Sequence, residues 1–120
     1  MAKIRLGLAD RIELGNIKAQ RDWGYAPYHV KAMCLMLQHE KPEDCVIATG
    51  VLHTVEDFLR KAFDVVGFDY RNFLKINEAY LRLGEAILLC SDASKAKADL
   101  GWESTKSLSD IVEEMVLNDI

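Results

Sequence analysis

Within residues 27–39 apolar side chains recur at Val30, Met33, Cys34 and Leu37, the i, i+3, i+4, i+7 spacing of one helical face. Pro27 falls in the first turn, where its missing N–H costs no hydrogen bond, so the stretch is predicted to be a helix. Ala32, Leu35 and Met36 fill the remaining arc. A helix apolar nearly all round is normally covered on two sides, and a short chain has difficulty supplying both covers. Residues 11–14 alternate polar and apolar before Gly15-Asn16, which predicts a short half-buried strand ending in a turn. Residues 45–50 form a continuous apolar run closed by Gly50, as expected of a strand buried on both faces. Thr54 opens a second helix, with Asp57 three residues on in the capping-box position usually held by Glu. Its apolar stripe is Val55, Phe58, Leu59, Ala62 and Val66, and Gly67 ends it. Residues 74–77 alternate like a strand. Asp92 is placed to cap a short helix stopped by Gly101, and Ser107 with Asp110 caps a last helix striped by Leu108, Ile111, Val112, Met115 and Val116. Strands separated by helices predict an α/β layer architecture with few short strands and about four helices.

Composition narrows the functional classes. The 120 residues, 50% hydrophobic and 28% charged, contain no repeat or Pro/Ser-rich linker, so residues 1–120 are expected to form a single domain. Folding at this size removes roughly two-thirds of the accessible surface from water, enough for one modest core. Fifteen Lys and Arg against nineteen Asp and Glu give a net charge of −4. That balance provides no footprint for nucleic acid and no polybasic stretch for a membrane, so an anionic ligand must be held by a few placed residues. The first seven residues contain no apolar signal region, and a cytoplasmic location is expected. Cys34, Cys45 and Cys90 are odd in number and form no C-x-x-C pair, so they read as reduced apolar fillers. With His29, His39 and His53 they show no ligand spacing for a metal.

The nearest two glycines, Gly7 and Gly15, are eight residues apart, which leaves no room for a glycine-rich phosphate cradle in these residues. None of Tyr25, Tyr28, Tyr70 and Tyr80 is followed by Lys at the fourth position, so the Tyr/Lys pair of short-chain oxidoreductases is absent. No nucleophile elbow or H-E-x-x-H helix is present either.

Three stretches carry a resemblance. They are Leu14-Gly15-Asn16 with Arg21-Asp22-Trp23-Gly24; Pro42-Glu43-Asp44 with residues 46–50; and Tyr80-Leu81-Arg82 with Glu85, Ser94-Lys95-Ala96 and Leu100-Gly101-Trp102. In this order and spacing the chain resembles the C-terminal third of GDP-mannose 4,6-dehydratases, members of the extended short-chain dehydrogenase/reductase family. The resemblance implies the substrate-binding part of such a protein, without the dinucleotide-binding Rossmann domain. The parent reaction oxidises the sugar at C4 with NADP, eliminates water across C5 and C6, and returns hydride at C6. The family's glycine-rich loop and acid/base residues lie outside the matching part, so no catalytic residue and no NADP contact is assigned to this chain, which is expected to be catalytically incomplete alone.

By the same resemblance Arg21 and Arg82 hold the diphosphate of GDP-mannose or GDP, a task to which planar guanidinium forks are suited. The Asn16 turn would read a purine edge, and Glu85 would accept ribose hydroxyls or a guanine N–H. Simpler readings stand beside these: Arg21 with Asp22 as a surface ion pair, Arg82 with Glu85 as a pair along one helical turn, and Trp23 and Trp102 as packing residues.

The chain departs from the family at Tyr25, in place of His, and at Tyr28, in place of an Asp at the mouth of the first predicted helix. Leu83 replaces Pro after Arg82, and Cys90 stands where a glycine is usual ahead of Asp92, a position that would be strained at positive φ. The helix around Met33 and the strand around Ile47 are expected to present apolar surface outward. That predicts a homo-oligomer or a cofactor-domain partner chain, and as a second reading a non-catalytic interaction module derived from the family.

Overall fold

The computed structural model describes residues 1–81 and 90–120. In chain order these form α1 (Ala2–Arg5), β1 (Ile12–Leu14), β2 (Gln20–Asp22), α2 (Ala26–Gln38), β3 (Leu52–Thr54), α3 (Val55–Val65), β4 (Leu74–Ile76), α4 (Ser94–Leu100) and α5 (Leu108–Asp119). Single 3-10 turns at Tyr70–Asn72 and Glu78–Tyr80 flank β4. All four expected helices are present, joined by the one-turn α1.

The strands make two pairs rather than one sheet. β1 runs parallel to β4, with Ile12 opposite Leu74 and Leu14 opposite Ile76. β2 runs antiparallel to β3, with Arg21 opposite His53. Residues 45–50 depart from expectation: they are irregular and only half-buried. The amides of Thr49 and Gly50 are drawn to the Asp22 carboxylate, and the apolar run joins no ladder among the described residues.

α3 is the hub. Phe63, Leu59, Ile4 and Tyr70 form one apolar cluster under β1 and β4. On another side of α3, Ala62 meets Leu108, Val112 and Val116 of α5. The α5 stripe is buried as its spacing implies, except for Met115, which faces out. A third cluster is separate: Ala32 of α2, Ala96 of α4 and Trp102, with Cys45 and Ile47 packed against them. The result is a flat slab, 53 × 34 × 17 Å. Its radius of gyration is 17.2 Å, against about 14 Å for a compact domain of this length.

The helix ends are local and specific. Thr54 Oγ1 accepts the Asp57 amide at 2.9 Å while Asp57 Oδ2 accepts the Thr54 amide at 3.1 Å, so the shorter Asp completes the box that Glu usually closes. Ser107 and Asp110 do the same for α5. Gly101 adopts φ 61° and terminates α4 in the left-handed region, while Asp92 accepts the Ser94 amide one position ahead of the Ala93 cap. Cys90 carries no strain, because no described non-glycine residue has positive φ.

Hydrogen bonds from the Thr54 side chain and backbone, with Arg60 alongside, hold the Asp57 carboxyl down at about 2. A carboxyl depressed on folding stabilises the fold above its unfolded value of 3.8, and that contribution is lost as pH falls through the folded value. Thr54→Ala is therefore expected to cost about 1 kcal/mol at neutral pH, with the gap to the parent chain closing between about pH 4 and pH 2. Urea unfolding of both chains across that range checks it; an undiminished gap at low pH would contradict the assignment.

Candidate functional site

The site is built from the turn between β1 and β2. Asn16 Oδ1 accepts the Lys18 amide at 3.0 Å, closing a tight turn through its side chain. The carbonyls of Ile17 and Ala19 then accept the amides of Glu56 and Val55 at 2.9 and 3.0 Å, so the turn is sewn to the first turn of α3. Lys18 pairs with Glu56, and the Tyr70 hydroxyl donates to the same carboxylate at 2.7 Å. Lys18 and Tyr70 together lower the Glu56 carboxyl below its ordinary range. Gly15 is required by a close approach: a Cβ there would lie 2.5 Å from the carbonyl oxygen of Tyr80. The Asn16 turn thus lies against Tyr80, two residues before Arg82.

β2 projects Arg21 and Asp22 to opposite faces. Arg21 Nη1 donates to the Gln20 carbonyl at 2.7 Å, and the residue is half-buried. Asp22 accepts from the amides of Thr49 at 3.1 Å and Gly50 at 2.9 Å, and from the Thr49 hydroxyl at 2.5 Å. That carboxylate ties 49–50 to β2, so two of the stretches that carry the family resemblance are in contact. Arg82 and Glu85, and the departure at Leu83, lie outside the described residues.

The two tyrosine replacements have structural partners. The Tyr25 hydroxyl donates to Glu114 at 2.8 Å, and Lys106, ion-paired with Glu114, sits 3.9 Å from the Tyr25 ring centre. The hydroxyls of Tyr28 and Thr105 are 3.1 Å apart. These bonds tie the start of α2 to α5 and to the loop before it. Trp23 packs on Phe58 with ring centres 5.2 Å apart, and the Trp102 indole donates to the Tyr28 carbonyl at 2.7 Å, so both tryptophans are packing residues.

Two open clefts flank the 49–50 junction. One, of about 440 Å³, lies between Thr49-Gly50, Asp92 and Trp102; the other, of about 360 Å³, lies between Trp23, His53 and Lys106. Ser104 lines both, and among the described residues its buried Oγ has no hydrogen-bond partner. Arg21 lines neither. Among the described residues no group of His, Cys, Asp or Glu is disposed to hold a metal, and no helix is long and apolar enough to cross a membrane.

Residues 1–115 match the family described as GDP-mannose 4,6 dehydratase. The chain belongs to that family. GDP-mannose 4,6 dehydratase 2 of Arabidopsis thaliana is 43% identical over 120 residues, covering all of this chain and 32% of the relative. The Homo sapiens GDP-mannose 4,6 dehydratase is 37% identical over 137 residues, covering all of this chain and 37% of that one. The chain therefore spans about a third of the length of the curated relatives it matches. Among solved structures, RMD from Pseudomonas aeruginosa, complexed with NADPH, superposes with a TM-score of 0.86 at 17% identity, over 98% of this chain and 39% of that one. The UDP-glucose 4-epimerase of Thermotoga maritima, solved with UDP-glucose, gives 0.78 at 26% identity over 97% of this chain and 36% of its own. The α/β arrangement is thus that of the matching part of these two structures, the second of them a sugar-nucleotide epimerase.

The glycine spacing provides no phosphate cradle. The first amides of α3 are taken by Ile17, Ala19 and Thr54, so that helix start has none to offer a pyrophosphate.

Proposed function

We propose that these 120 residues are the nucleotide-sugar-binding part of a GDP-mannose 4,6-dehydratase-like lyase of the cytoplasm, a single domain that is catalytically incomplete by itself. Arg21 and Arg82 are the diphosphate ligands, Asn16 presents its turn to the base, and Glu85 accepts from ribose or guanine. The observation that supports this reading most directly is the anchoring of Asp22 to Thr49 and Gly50. It fixes β2 and leaves Arg21 on the opposite face, beside a turn held on α3 by backbone hydrogen bonds. A positioned guanidinium binds phosphate with less ordering cost than a mobile one. The bare face of α2 favours a second reading, an interaction module of the same ancestry.

Calorimetric titration of the folded chain with GDP-mannose and with GDP tests the first reading. Saturable binding is expected, weakened about tenfold to a hundredfold by Arg21→Ala, since a charge-assisted bond contributes about 1.5–3 kcal/mol. An absence of binding at millimolar ligand, or binding indifferent to Arg21→Ala, would overturn it.

A further inference from the structure

The turn that presents Asn16 is held from α3 by one residue in three ways. Glu56, in the first turn of that helix, donates its amide to the Ile17 carbonyl at 2.9 Å. Its carboxylate divides between two partners: Oε1 accepts the Tyr70 hydroxyl at 2.7 Å, and Oε2 pairs with the Lys18 ammonium. Tyr70 is 7% exposed, in one cluster with Phe63, Leu59 and Ile4. A line of contacts therefore runs from the core through Tyr70 and Glu56 to Lys18 in the turn.

An exposed Lys–Glu pair ordinarily contributes little, because ordering two long side chains offsets the attraction. Here the carboxylate is already fixed by a buried tyrosine, so only the lysine is ordered on pairing. The Lys18 amide is in turn the donor that Asn16 Oδ1 accepts at 3.0 Å, so the placement of Lys18 sets the plane of the Asn16 side-chain amide. A planar amide reads a base edge by direction, and a rotated plane loses the match. Arg21 is held separately. β2 is fixed by its pairing with β3 and by the Asp22 carboxylate on Thr49 and Gly50, contacts that do not involve Glu56.

We propose, on the nucleotide-sugar reading, that Glu56 braced by Tyr70 is a positioning residue for base selectivity: through Lys18 it sets the orientation of Asn16, while the diphosphate contact at Arg21 is independent of it. The rival explanation has the opposite sign. If Glu56 acted only by its charge, Glu56→Gln would delete a negative charge beside Lys18 and tighten the binding of every diphosphate. A positioning role gives instead a loss confined to the base that the turn reads.

The experiment titrates the full chain and its Glu56→Gln and Tyr70→Phe variants with GDP, UDP and inorganic pyrophosphate by calorimetry, after circular dichroism has shown each to be folded. The parent chain is expected to prefer GDP to UDP. Each variant is expected to lose about threefold to tenfold in GDP affinity, the equivalent of one hydrogen bond, with UDP and pyrophosphate changed by less than about twofold. Tyr70→Phe changes no charge, so the same selective loss there excludes an electrostatic origin; where it does not fold, Glu56→Gln decides by the sign of its effect. Without ligand, the Lys18 amide is expected to exchange faster in the variants while the amides of α5 are unchanged. Parent-like selectivity in the variants, a uniform change across the three ligands, or an unchanged Lys18 amide overturns the proposal, and GDP binding by the parent then leaves the nucleotide-sugar reading standing. Pyrophosphate binding by the parent without preference for GDP overturns the base role alone, and no binding of any of the three overturns both.

Discussion

Phe63→Ala is expected to lower the unfolding free energy by about 3–5 kcal/mol, a large part of the total for a domain of this size. Phe63 is fully buried at the centre of the α3 hub, stacked on Phe73 with ring centres 5.6 Å apart, and enclosed by Ile4, Leu59 and Tyr70. Its removal leaves a cavity beneath the β1–β4 pair that backbone-anchored neighbours cannot close. Urea unfolding measures the loss. A change below about 1 kcal/mol would mean that the cluster collapses around the gap, contrary to the packing described.

Trp102→Ala is expected to cost a similar amount, about 3–5 kcal/mol, by a different route. The indole is 2% exposed, wedged between Ala32 and Ala96, and its N–H satisfies the Tyr28 carbonyl. Trp102→Phe, which keeps most of the ring and loses that hydrogen bond, is expected to cost about 1–3 kcal/mol. The Trp102 cluster shares no buried residue with the two clusters around α3. The alanine variants at 63 and 102 are therefore expected to be additive within about 0.5 kcal/mol in a double-mutant cycle. Hydrogen exchange on the Trp102 variant is expected to show α2 and α4 opening while α3 and α5 remain protected. Uniform deprotection would show one cooperative core instead.

The elements that were legible from the chain are those whose determinants are local. The Thr54/Asp57 and Ser107/Asp110 boxes, the stop at Gly101 and the alternation of 11–14 and 74–77 each depend on residues within a turn of one another, and each appears as read. β2 and β3 left no such trace. Gln20-Arg21-Asp22 has no alternating apolar face, and its pairing with Leu52–Thr54 is fixed by the Ala19 and Ile17 carbonyls meeting α3, a contact between distant parts of the chain. The 45–50 run shows the converse. Its composition is that of an inner strand, yet among the described residues no strand pairs with it.

The candidate site was read from the family resemblance rather than from local pattern. Asn16 and Arg21 came from the family resemblance, and the structure brings the turn of the first to the backbone of Tyr80. The role of Asp22 was missed, although its signal was present: Asp22 and Thr49-Gly50 stood in two separate matching stretches, and it is their contact that joins them. Tyr28, read as the loss of a helix-mouth carboxylate, and Tyr25, read as the replacement of a His, also gain bonds to Thr105 and Glu114 that a one-dimensional pattern does not reveal.

The most direct test of the nucleotide-sugar reading is a residue-resolved one: amide chemical shifts of the chain followed during addition of GDP-mannose. Shifts that saturate and concentrate on the turn and strand from Asn16 to Asp22, with α5 unaffected, are the expected result. Saturating shifts confined to α5, or none at millimolar ligand in a folded chain, would contradict the assignment and leave the exposed face of α2 as the functional surface.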